Sequence, residues 1–487
     1  MTSSGLEPAS PATTTDPRTL MEVARLLAED GVHDQDPAGE RHFRIGVPHP
    51  LSGPEIVFLE KLGDLLLAFY TALNNLYRQS AQGRAPEFIC RWLDQGKPQE
   101  VVRMGRMNRM RTELPRILRP DLFATEDGWK ITELDSVPGG IGLTDALQQR
   151  YAAAGFDVVG GADGMRNGMA HMLVEAATKA DPTVAVTVSE ESAAYRPEMH
   201  HLTRRLRQLG VNARLVEPRD IQFREDGLWL AAEAGAGVEA NSREENFRID
   251  VLYRFFELFD LPNIPKAELL LYAARKGTVT MTPPPRAHLE EKLAMALFHH
   301  PVLAPLWRTE LGEERQRALV ALLPRTWVLD PTPLPAHAVI PDLTLDGTPL
   351  QSWSTLNRLG QKARQFVIKP SGFSERAWGA RGVVIGHDVP ESEWASALEQ
   401  ALAAFPASPH VLQPFHKALS VPTGFLAGHT PETALLRTAR MRARLCPYYF
   451  VTDGRARLGG VLATLCPADK KRIHGMTDSV MVPCAPA

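Results

Sequence analysis

Cysteine is scarce in this sequence, and its few positions are scattered. Only four cysteines occur among 487 residues, with no Cys-x-x-Cys pair and no repeated spacing. That pattern argues against a zinc site or a disulfide framework, and it fits a reducing compartment. The cysteines are Cys90, Cys446, Cys466 and Cys484.

A large charge excess of either sign is also missing. The 54 Lys and Arg residues nearly balance the 57 Asp and Glu residues, which leaves a formal net charge of −3. Because there is no basic field to attract phosphate-rich surfaces, we expect neither nucleic acid nor a membrane as a partner. No apolar run approaches the roughly 20 residues of a membrane span. Residues 1–19 lack the basic start and apolar core of a signal peptide, so we expect a disordered tail and a cytoplasmic protein.

What the sequence does have is the composition and patterning of a large α/β (α+β) protein. Apolar residues make up 44% and charged residues 23%, as in ordinary globular proteins. Apolar spacings of three and four predict helices through residues 20–110, with a turn at RWLDQGKP. Residues 184–216 read as strand, helix and strand, a unit that builds parallel sheets covered by helices. Further strands are predicted at RQFVIKP, GVVIG and HVLQPF, and two antiparallel strands around Asp453-Gly454.

Four charged residues lie on two predicted strands of one hairpin. Arg119 and Asp121 precede the Asp127-Gly128 turn signal, and Glu133 and Asp135 follow it. Residues two apart on a strand share a face, so the hairpin would bring the four side chains together. Mg²⁺ prefers carboxylate oxygens, which makes the three acids candidate metal ligands, and Arg119 can hold a carboxylate or phosphate. The alternative is a solvated strand face with surface ion pairs.

Two glycine-containing segments are candidate phosphate sites. Gly139, Gly140 and Gly142 stand just before a predicted helix, where backbone amides bind anions, although a tight turn is the alternative. The strand VIKP delivers Lys369 into a loop whose mobile backbone can close over phosphates. For that loop an edge strand with a long hairpin is the alternative. Its glycines are Gly372, Gly379 and Gly382.

Several single residues are weaker candidates. Lys292, on a predicted helix around residues 287–298, and Gln413, at a strand end, are candidate nucleotide contacts. The alternatives are a solvated lysine and a glutamine that caps the sheet. A substrate role is predicted for residues after the strand VAVTVS, because loops at the carboxyl ends of parallel strands bind ligands. Three arginines alternate on one late strand, where one can neutralise a transferred phosphoryl group. The residues are Glu190, Glu191, Tyr195 and Arg196 in the loop, Arg440, Arg442 and Arg444 on the strand, and Arg472 and His474 near the mouth.

These motifs, in this order, resemble the glutathionylspermidine synthase-like branch of the ATP-grasp superfamily. The family shows an Arg-x-Asp pair and then a Glu-x-Asn pair, which match Arg119, Asp121, Glu133 and Asp135. The resemblance implies that the acids hold Mg²⁺ and that the arginine touches substrate. It also implies that two lysines embrace ATP, and Lys292 and Lys369 match them in order and setting. VLYRFFEL and IHGMTDSVMVP look like further strands of the family.

The sequence departs from the family in four ways. Asp135 stands where Asn is usual, and the glycine loop GFSERAWGARG is longer and bulkier than the family's. The serine positions that hold glutathione in the family fall near Pro138 and Gly140 here. The amidase domain of some members is missing. Glutathione and spermidine are therefore not carried over as substrates.

Together these observations predict an ATP-dependent ligase that joins a small-molecule carboxylate to an amine through an acyl phosphate, with Arg119 and Arg442 as catalytic residues. Glu190, Glu191 and Arg472 are predicted to bind substrate. The alternatives are a phosphotransferase of the same fold, a nucleotide-binding module of a biosynthetic complex, and an α/β protein without ATP. The predicted division is a tail (1–19), a helical region (20–110), a pre-ATP-grasp domain with the metal site (111–285) and an ATP-grasp module (286–487).

Overall fold

The computed structural model describes residues 15–32, 43–177, 179–230, 246–377, 381–428, 433–475 and 478–487. Most of the predicted tail, residues 1–14, lies outside these ranges. Residues 17–19, which were also predicted as tail, instead begin a helix. The reason is local: Asp16 accepts a hydrogen bond from the Arg18 backbone N–H (2.9 Å), and Pro17 occupies the first helical position.

The helices lie mainly in the N-terminal half of the chain. They are α1 (Pro17–Asp30), α2 (Gly53–Ala81), α3 (Phe88–Asp94), α4 (Gln99–Arg106), α5 (Ile141–Ala153), α6 (Gly164–Ala176), α7 (Arg196–Gln208), α8 (Ala267–Lys276), α9 (Leu293–His299), α10 (Ala304–Leu311), α11 (Glu313–Leu322) and α12 (Glu391–Ala403). No helix in the described ranges is long and apolar enough to cross a membrane.

The strands fall into one large sheet and several small ones. They are β1 (His49–Leu51), β2 (Ile117–Thr125), β3 (Gly128–Asp135), β4 (Thr183–Val188), β5 (Asn212–Val216), β6 (Ile221–Arg224), β7 (Gly227–Leu230), β8 (Phe247–Ile249), β9 (Val251–Phe255), β10 (Thr280–Thr282), β11 (Trp327–Val328), β12 (Thr344–Leu345), β13 (Thr348–Pro349), β14 (Phe366–Pro370), β15 (Val384–Ile385), β16 (His410–Pro414), β17 (Ser420–Ala427), β18 (Leu435–Thr452), β19 (Arg455–Pro467) and β20 (Val480–Pro486).

The large sheet has the strand order β1-β20-β19-β18-β2-β3, with β17 also paired to β18. The long strands β18 and β19 form the predicted hairpin around Asp453 and Gly454, both of which have positive φ as a tight turn requires. The β2–β3 hairpin pairs with β18. One sheet therefore joins strands from both sides of the predicted domain boundary at residue 285.

A second sheet, in the order β10-β9-β4-β5, is parallel throughout. Helix α7 connects β4 to β5, which confirms the predicted strand–helix–strand unit. Val184 and Val186 on β4 are fully buried, as expected for a parallel strand covered on both faces. The loops that leave the carboxyl ends of β4 and β9 point towards the large sheet and supply residues to the site described below.

A third sheet, β11-β16-β14-β15, is antiparallel and is backed by α12, whose Trp394 is fully buried. Its strand β14 ends at the predicted phosphate loop, and the Lys369 Nζ atom donates to the backbone oxygen of Thr132 on β3 (3.0 Å). This contact joins the third sheet to the large sheet. A cleft between the two sheets results, and both cavities described below lie along it.

The predicted N-terminal helices are present and brace the large sheet. Helix α2 begins with a capping box between Ser52 and Glu55, in which Glu55 accepts the Ser52 backbone N–H (2.8 Å). Its Gly63 lies against Tyr449 and Ala456, where no side chain would fit. The region is not wholly helical, because β1 pairs in parallel with β20.

Candidate functional site

The predicted charged hairpin forms with the four side chains opposite one another. Arg119 on β2 pairs in register with Asp135 on β3, and Asp121 pairs with Glu133. A bulge follows Asp121 and shifts the register of the remaining residues. The turn signal and the two-residue periodicity of the sequence thus produce a compact cluster of one guanidinium and three carboxylates.

Asp121 lies at the centre of this cluster and is held by two arginines. Its Oδ1 atom is 3.2 Å from Arg119 Nη2, and its Oδ2 atom is 3.0 Å from Arg444 Nη1. The Cys446 thiol also donates to Oδ1 (3.4 Å). Burial opposes the charge of Asp121, but Arg444 and Arg119 outweigh burial and lower its pKa. Asp121 is therefore an ionised anchor for the two arginines.

Asp135 shares Arg119 with Asp121. Its Oδ2 atom is 3.1 Å from Arg119 Nη2, and its Oδ1 atom accepts the Val137 backbone N–H (2.9 Å). Burial and the neighbouring Glu133 charge raise the pKa of Asp135 against the opposing effect of Arg119. Arg119 is therefore shared between two carboxylates.

Two lysines from the C-terminal half approach neighbouring positions on β3. Lys292 Nζ lies 2.8 Å from Glu133 Oε1, and Lys369 Nζ donates to the adjacent Thr132 carbonyl (3.0 Å). Burial disfavours the charged form of Glu133, but Lys292 prevails and lowers the Glu133 pKa. Burial lowers the pKa of Lys369 to about 8. The glycine loop also contributes, because Lys292 donates to the Ala377 carbonyl (3.3 Å).

The prediction of one helix around residues 287–298 that contains Lys292 is wrong. Lys292 stands immediately before α9. Residues 287–289 form a separate 3₁₀ turn. This position suits a ligand site, because the Lys292 side chain extends from the start of the helix to Glu133 on β3.

Most of these residues line a cavity of about 520 Å³ between the large sheet, the carboxyl ends of the parallel strands and the glycine loop, but Lys369 does not reach its surface. Its floor carries the charged cluster, and its walls carry further acids and aromatic rings. Residues on these walls include Tyr195, Glu198, Glu257, Glu290, Gly372 and Phe373.

The glycine turn before α5 binds a carboxylate of the protein itself. Glu198 on α7 accepts the backbone N–H groups of Gly140 (2.8 Å) and Leu143 (3.1 Å). The predicted anion site at this helix start is thus filled internally. Burial raises the pKa of Glu198 to about 7, against these hydrogen bonds. Gly139 is required here because the Tyr195 ring lies where a side chain would be.

Sequence reasoning missed the acidic wall of the cavity. Burial, Glu290 and Asp135 together raise the pKa of Glu257 well above its usual value. Glu290 pairs with the buried Arg254. The available signal was the segment VLYRFFEL, in which polar residues interrupt a strand of otherwise apolar, buried residues. Polar groups in such a strand are rare unless they are paired or functional.

Some predicted residues lie at the cavity and others do not. Arg119, Asp121, Glu133, Asp135, Lys292 and Gly372 line it, as do Tyr195, Arg444 and His474. Gly379 lies outside the described residues. Gly382 donates its backbone N–H to Arg376 (2.9 Å) and so shapes the loop. Gln413 points away and bonds to Thr326 Oγ1 (2.9 Å), because the strand turns it towards α9.

The predicted arginine and substrate-loop residues make other contacts. Arg442 donates to the carbonyls of Ala468 (2.9 Å) and Ala418, outside the main cavity. Arg444, two residues further along the same face of β18, lines the main cavity instead. The remaining contacts are Glu190 with Arg196 (2.6 Å), Glu191 with Arg381 (2.6 Å), Arg440 with Ser420 Oγ (3.2 Å), and Arg472 with the Val383 carbonyl (2.6 Å).

A second cavity of about 470 Å³ lies further along the cleft, next to the start of β14 and the end of β16. It combines aromatic walls with several cations. Its lining includes Phe123, His387, Phe415, Lys417, Arg442 and Lys471. This mixture suits a flat, apolar group attached to anionic groups.

The cluster does not form the predicted three-carboxylate metal site. Within the described ranges, no group of three or more His, Cys, Asp or Glu side chains is placed to hold a metal ion. The reason is that Asp121 already engages two arginines and a thiol. Glu133 and Asp135 still offer hard oxygen donors whose mutual repulsion a divalent cation would relieve, so these two residues fit magnesium.

Comparison with known proteins gives a similarity in fold. No protein-family model and no curated protein matches the sequence. A glutathione synthetase-like effector from Globodera pallida, solved without ligand, matches 97% of both chains with a TM-score of 0.54 and 12% identity. A protein from Methylobacillus flagellatus KT with the provisional name gamma-glutamylcysteine synthetase matches 90% of both chains at 14% identity. Its TM-score of 0.42 is too low to establish a common fold. The chain therefore has an α+β fold of the ATP-grasp type, as its motif order predicted.

Proposed function

We propose that this protein is an ATP-dependent ligase that activates a carboxylate as an acyl phosphate and joins it to an amine. One observation carries the proposal: Lys292 and Lys369 approach adjacent residues of β3, Glu133 and Thr132, beside a cluster of carboxylates and arginines. Phosphoryl transfer needs positioned cations more than covalent chemistry, and this cluster supplies them.

The nucleotide would lie along the cleft between the large and third sheets. The second cavity offers Phe123 and Phe415 to a base, and its cations suit the groups attached to that base. Lys369 and Lys292 would then hold the phosphates, and the glycine loop would cover them. Lys292 would exchange Glu133 for phosphate oxygens when the nucleotide binds.

Magnesium would be held by Glu133 and Asp135. When bound, it supplies charge neutralisation for the transferred phosphoryl group. Asp121 has a different task in this proposal, because it fixes Arg119 and Arg444 from both sides. The use of only two protein carboxylates agrees with the usual habit of magnesium, which completes its coordination with phosphates and water.

Arg119 and Arg444 would bind the substrate carboxylate and then the acyl phosphate. A carboxylate oxygen attacks the γ-phosphorus, the bond from that phosphorus to the bridging oxygen breaks, and ADP leaves. The amine nitrogen then attacks the acyl carbon, the carbon–oxygen bond to phosphate breaks, and the amine gives up one proton. The acidic wall at Glu257 and Glu290 lies on the same cavity and suits the amine partner.

We place the protein nearest to the glutathionylspermidine synthase-like branch, on the order of its motifs. Arg119, Asp121, Glu133 and the two lysines support that placement. Asp135, the bulky glycine loop and the loss of the serine positions set it apart, so we expect different substrates.

Product analysis tests the proposal. Purified protein is incubated with ATP, magnesium and panels of carboxylates and amines. We expect ADP and free phosphate in equal amounts, together with an amide that contains no phosphorus. AMP with pyrophosphate would overturn the acyl-phosphate mechanism, and a phosphorylated product would indicate a phosphotransferase. Nucleotide binding with no turnover on any panel would favour a nucleotide-binding module, a role that fits the pairing of every acid in the cluster with a cation or backbone N–H.

A further inference from the structure

A buried ion pair connects the N-terminal helical region to the candidate nucleotide site. Lys97, in the turn between α3 and α4, pairs with Glu291, and their side chains are only 1% and 2% exposed. The sequence gives residues 20–110 no functional role. A buried pair of this kind is weak evidence for stability, since apolar side chains often pack as well in its place. Its location next to Lys292 calls for a functional explanation.

Glu291 is the centre of a hydrogen-bond network around Lys292. Its second carboxylate oxygen accepts the Ser371 hydroxyl, at the start of the glycine loop. The Ser371 hydroxyl oxygen in turn accepts the Leu293 backbone N–H (2.8 Å). The Ser371 carbonyl accepts the Lys292 backbone N–H (3.1 Å). The backbone that carries Lys292 and the first residue of the glycine loop are therefore held by one network that ends at Lys97.

The turn that carries Lys97, residues 95–98, is itself firmly docked. Gln95 donates to the Pro406 carbonyl (2.7 Å), just before β16. Gly96 has a φ of +73° and lies so close to the Ala407 backbone that no side chain would fit. The Lys97 ammonium also lies 5.9 Å from the centre of the Phe373 ring, in the glycine loop.

We propose that Lys97 is a positioning residue for the triphosphate site, acting on Lys292 and the glycine loop through Glu291 and Ser371. This inference rests on the proposed function, since it assumes that Lys292 and the loop contact nucleotide. The turn that carries Lys97 thereby becomes part of the nucleotide site although it does not line the cavity. Lys97 makes no contact with the cavity, so its effect is on geometry.

Nucleotide affinity in a double-mutant cycle tests the inference. The dissociation constant of a non-hydrolysable ATP analogue with magnesium is measured by calorimetry for the wild type, Lys97→Met, Glu291→Gln and the double variant. We expect each single variant to bind about tenfold more weakly, which is the effect of losing roughly one charge-assisted hydrogen bond between Lys292 or the loop and the phosphates. We expect the double variant to be no weaker than the weaker single variant, because both changes break one network.

A matched control separates positioning from general loss of stability. Arg150→Met removes another ion pair of the N-terminal region, that between Arg150 and Asp30 (2.6 Å). We expect it to lower the unfolding midpoint while leaving the dissociation constant unchanged. If Lys97→Met behaves in the same way as this control, the inference is overturned and the proposed function stands. If the wild type itself binds no nucleotide, the proposed function fails.

Ser371→Ala provides a second test should Lys97→Met fail to fold. This variant removes one hydroxyl and leaves the Lys97–Glu291 pair in place. We expect the folded variant to lose nucleotide affinity, since the hydroxyl joins Glu291 to Leu293. Wild-type affinity in this variant would contradict the network.

Discussion

Lys292 Nζ lies 2.8 Å from Glu133 Oε1, and this ion pair joins the start of α9 to the β3 edge of the large sheet. Both side chains are charged in the free protein, because each moves the pKa of the other in the direction that favours the ion pair. In the proposed function, a nucleotide with magnesium would offer each of them a new partner. The Lys292–Glu133 ion pair would therefore be replaced by contacts to phosphate and magnesium when the nucleotide binds.

Glu133→Gln is expected to weaken magnesium-dependent nucleotide binding strongly. The change removes a ligand charge and leaves Lys292 without its partner. For the wild type, a nucleotide analogue at about 100 times its dissociation constant should stabilise the fold by ~2.7 kcal/mol. Thermal unfolding with and without the analogue measures this effect, and we expect it to shrink sharply in the variant. The exposed Glu60→Gln serves as the control, and equal shifts in both variants would remove Glu133 from the site.

Nucleotide affinity is expected to fall as the pH rises through about 8. Burial lowers the pKa of Lys369 to about 8, so this lysine loses its charge within an accessible range. Phosphates bind the charged form, and the affinity falls as that form disappears. The measurement is the dissociation constant of an ATP analogue below and above this pH, for wild type and for Lys369→Arg. A flat profile for the arginine variant is expected, and an equally steep one would assign the titration to another group.

Arg444→Met is expected to reduce turnover by about 100-fold, the usual cost of removing a donor to developing charge. Arg444 holds Asp121 (3.0 Å) and lines the cavity. Arg440→Met on the same strand is the control, because that side chain contacts Ser420 on the outer part of the sheet. Initial rates of ADP release compare the two. Similar losses for both would mean that the sheet, and not the cavity arginine, is affected.

Glu198 is expected to lower the stability of the protein as the pH rises from 4.5 to about 7. In the unfolded chain Glu198 releases its proton near 4.5, whereas burial keeps it protonated to about 7 in the folded protein. The unfolded state then binds fewer protons, so the free energy of unfolding decreases as the pH rises through this window. The contribution is roughly 3 kcal/mol.

Urea unfolding of wild type and Glu198→Gln at the two ends of this window measures the Glu198 effect. We expect the wild type to lose more stability than the variant as the pH rises. Parallel losses in the two proteins would show that Glu198 titrates normally.

Local sequence patterns predicted the parts of the site that lie on one element. The charged hairpin followed from the Asp-Gly turn and the two-residue period of strands, which act over a few residues. The choice between Arg442 and Arg444 did not follow, because both lie on the same face of an 18-residue strand. Only the pairing of Leu445 with Leu122 decides which arginine meets Asp121. That register is a property of the assembled sheet.

The acids of the cavity wall were missed for a related reason. Glu198 reaches the start of α5 from α7, and its partners are backbone groups that no sequence pattern marks. The direction of the Gln413 side chain could not be predicted, because a residue at a strand end can face either side of the sheet. The packing of α9 on β16 places the side chain on the buried side.

The contact between Asp121 and Arg444 joins residues 323 positions apart in the chain. During synthesis, the β2–β3 hairpin therefore leaves the ribosome long before the strand that completes it. Until β18 arrives, Asp121 and Arg119 have no second arginine beside them, and the edge of β2 is open to other strands. A chain shortened before β18 would therefore lack Arg444 beside Asp121, and nascent chains are most exposed to mispairing while β18 is still being made.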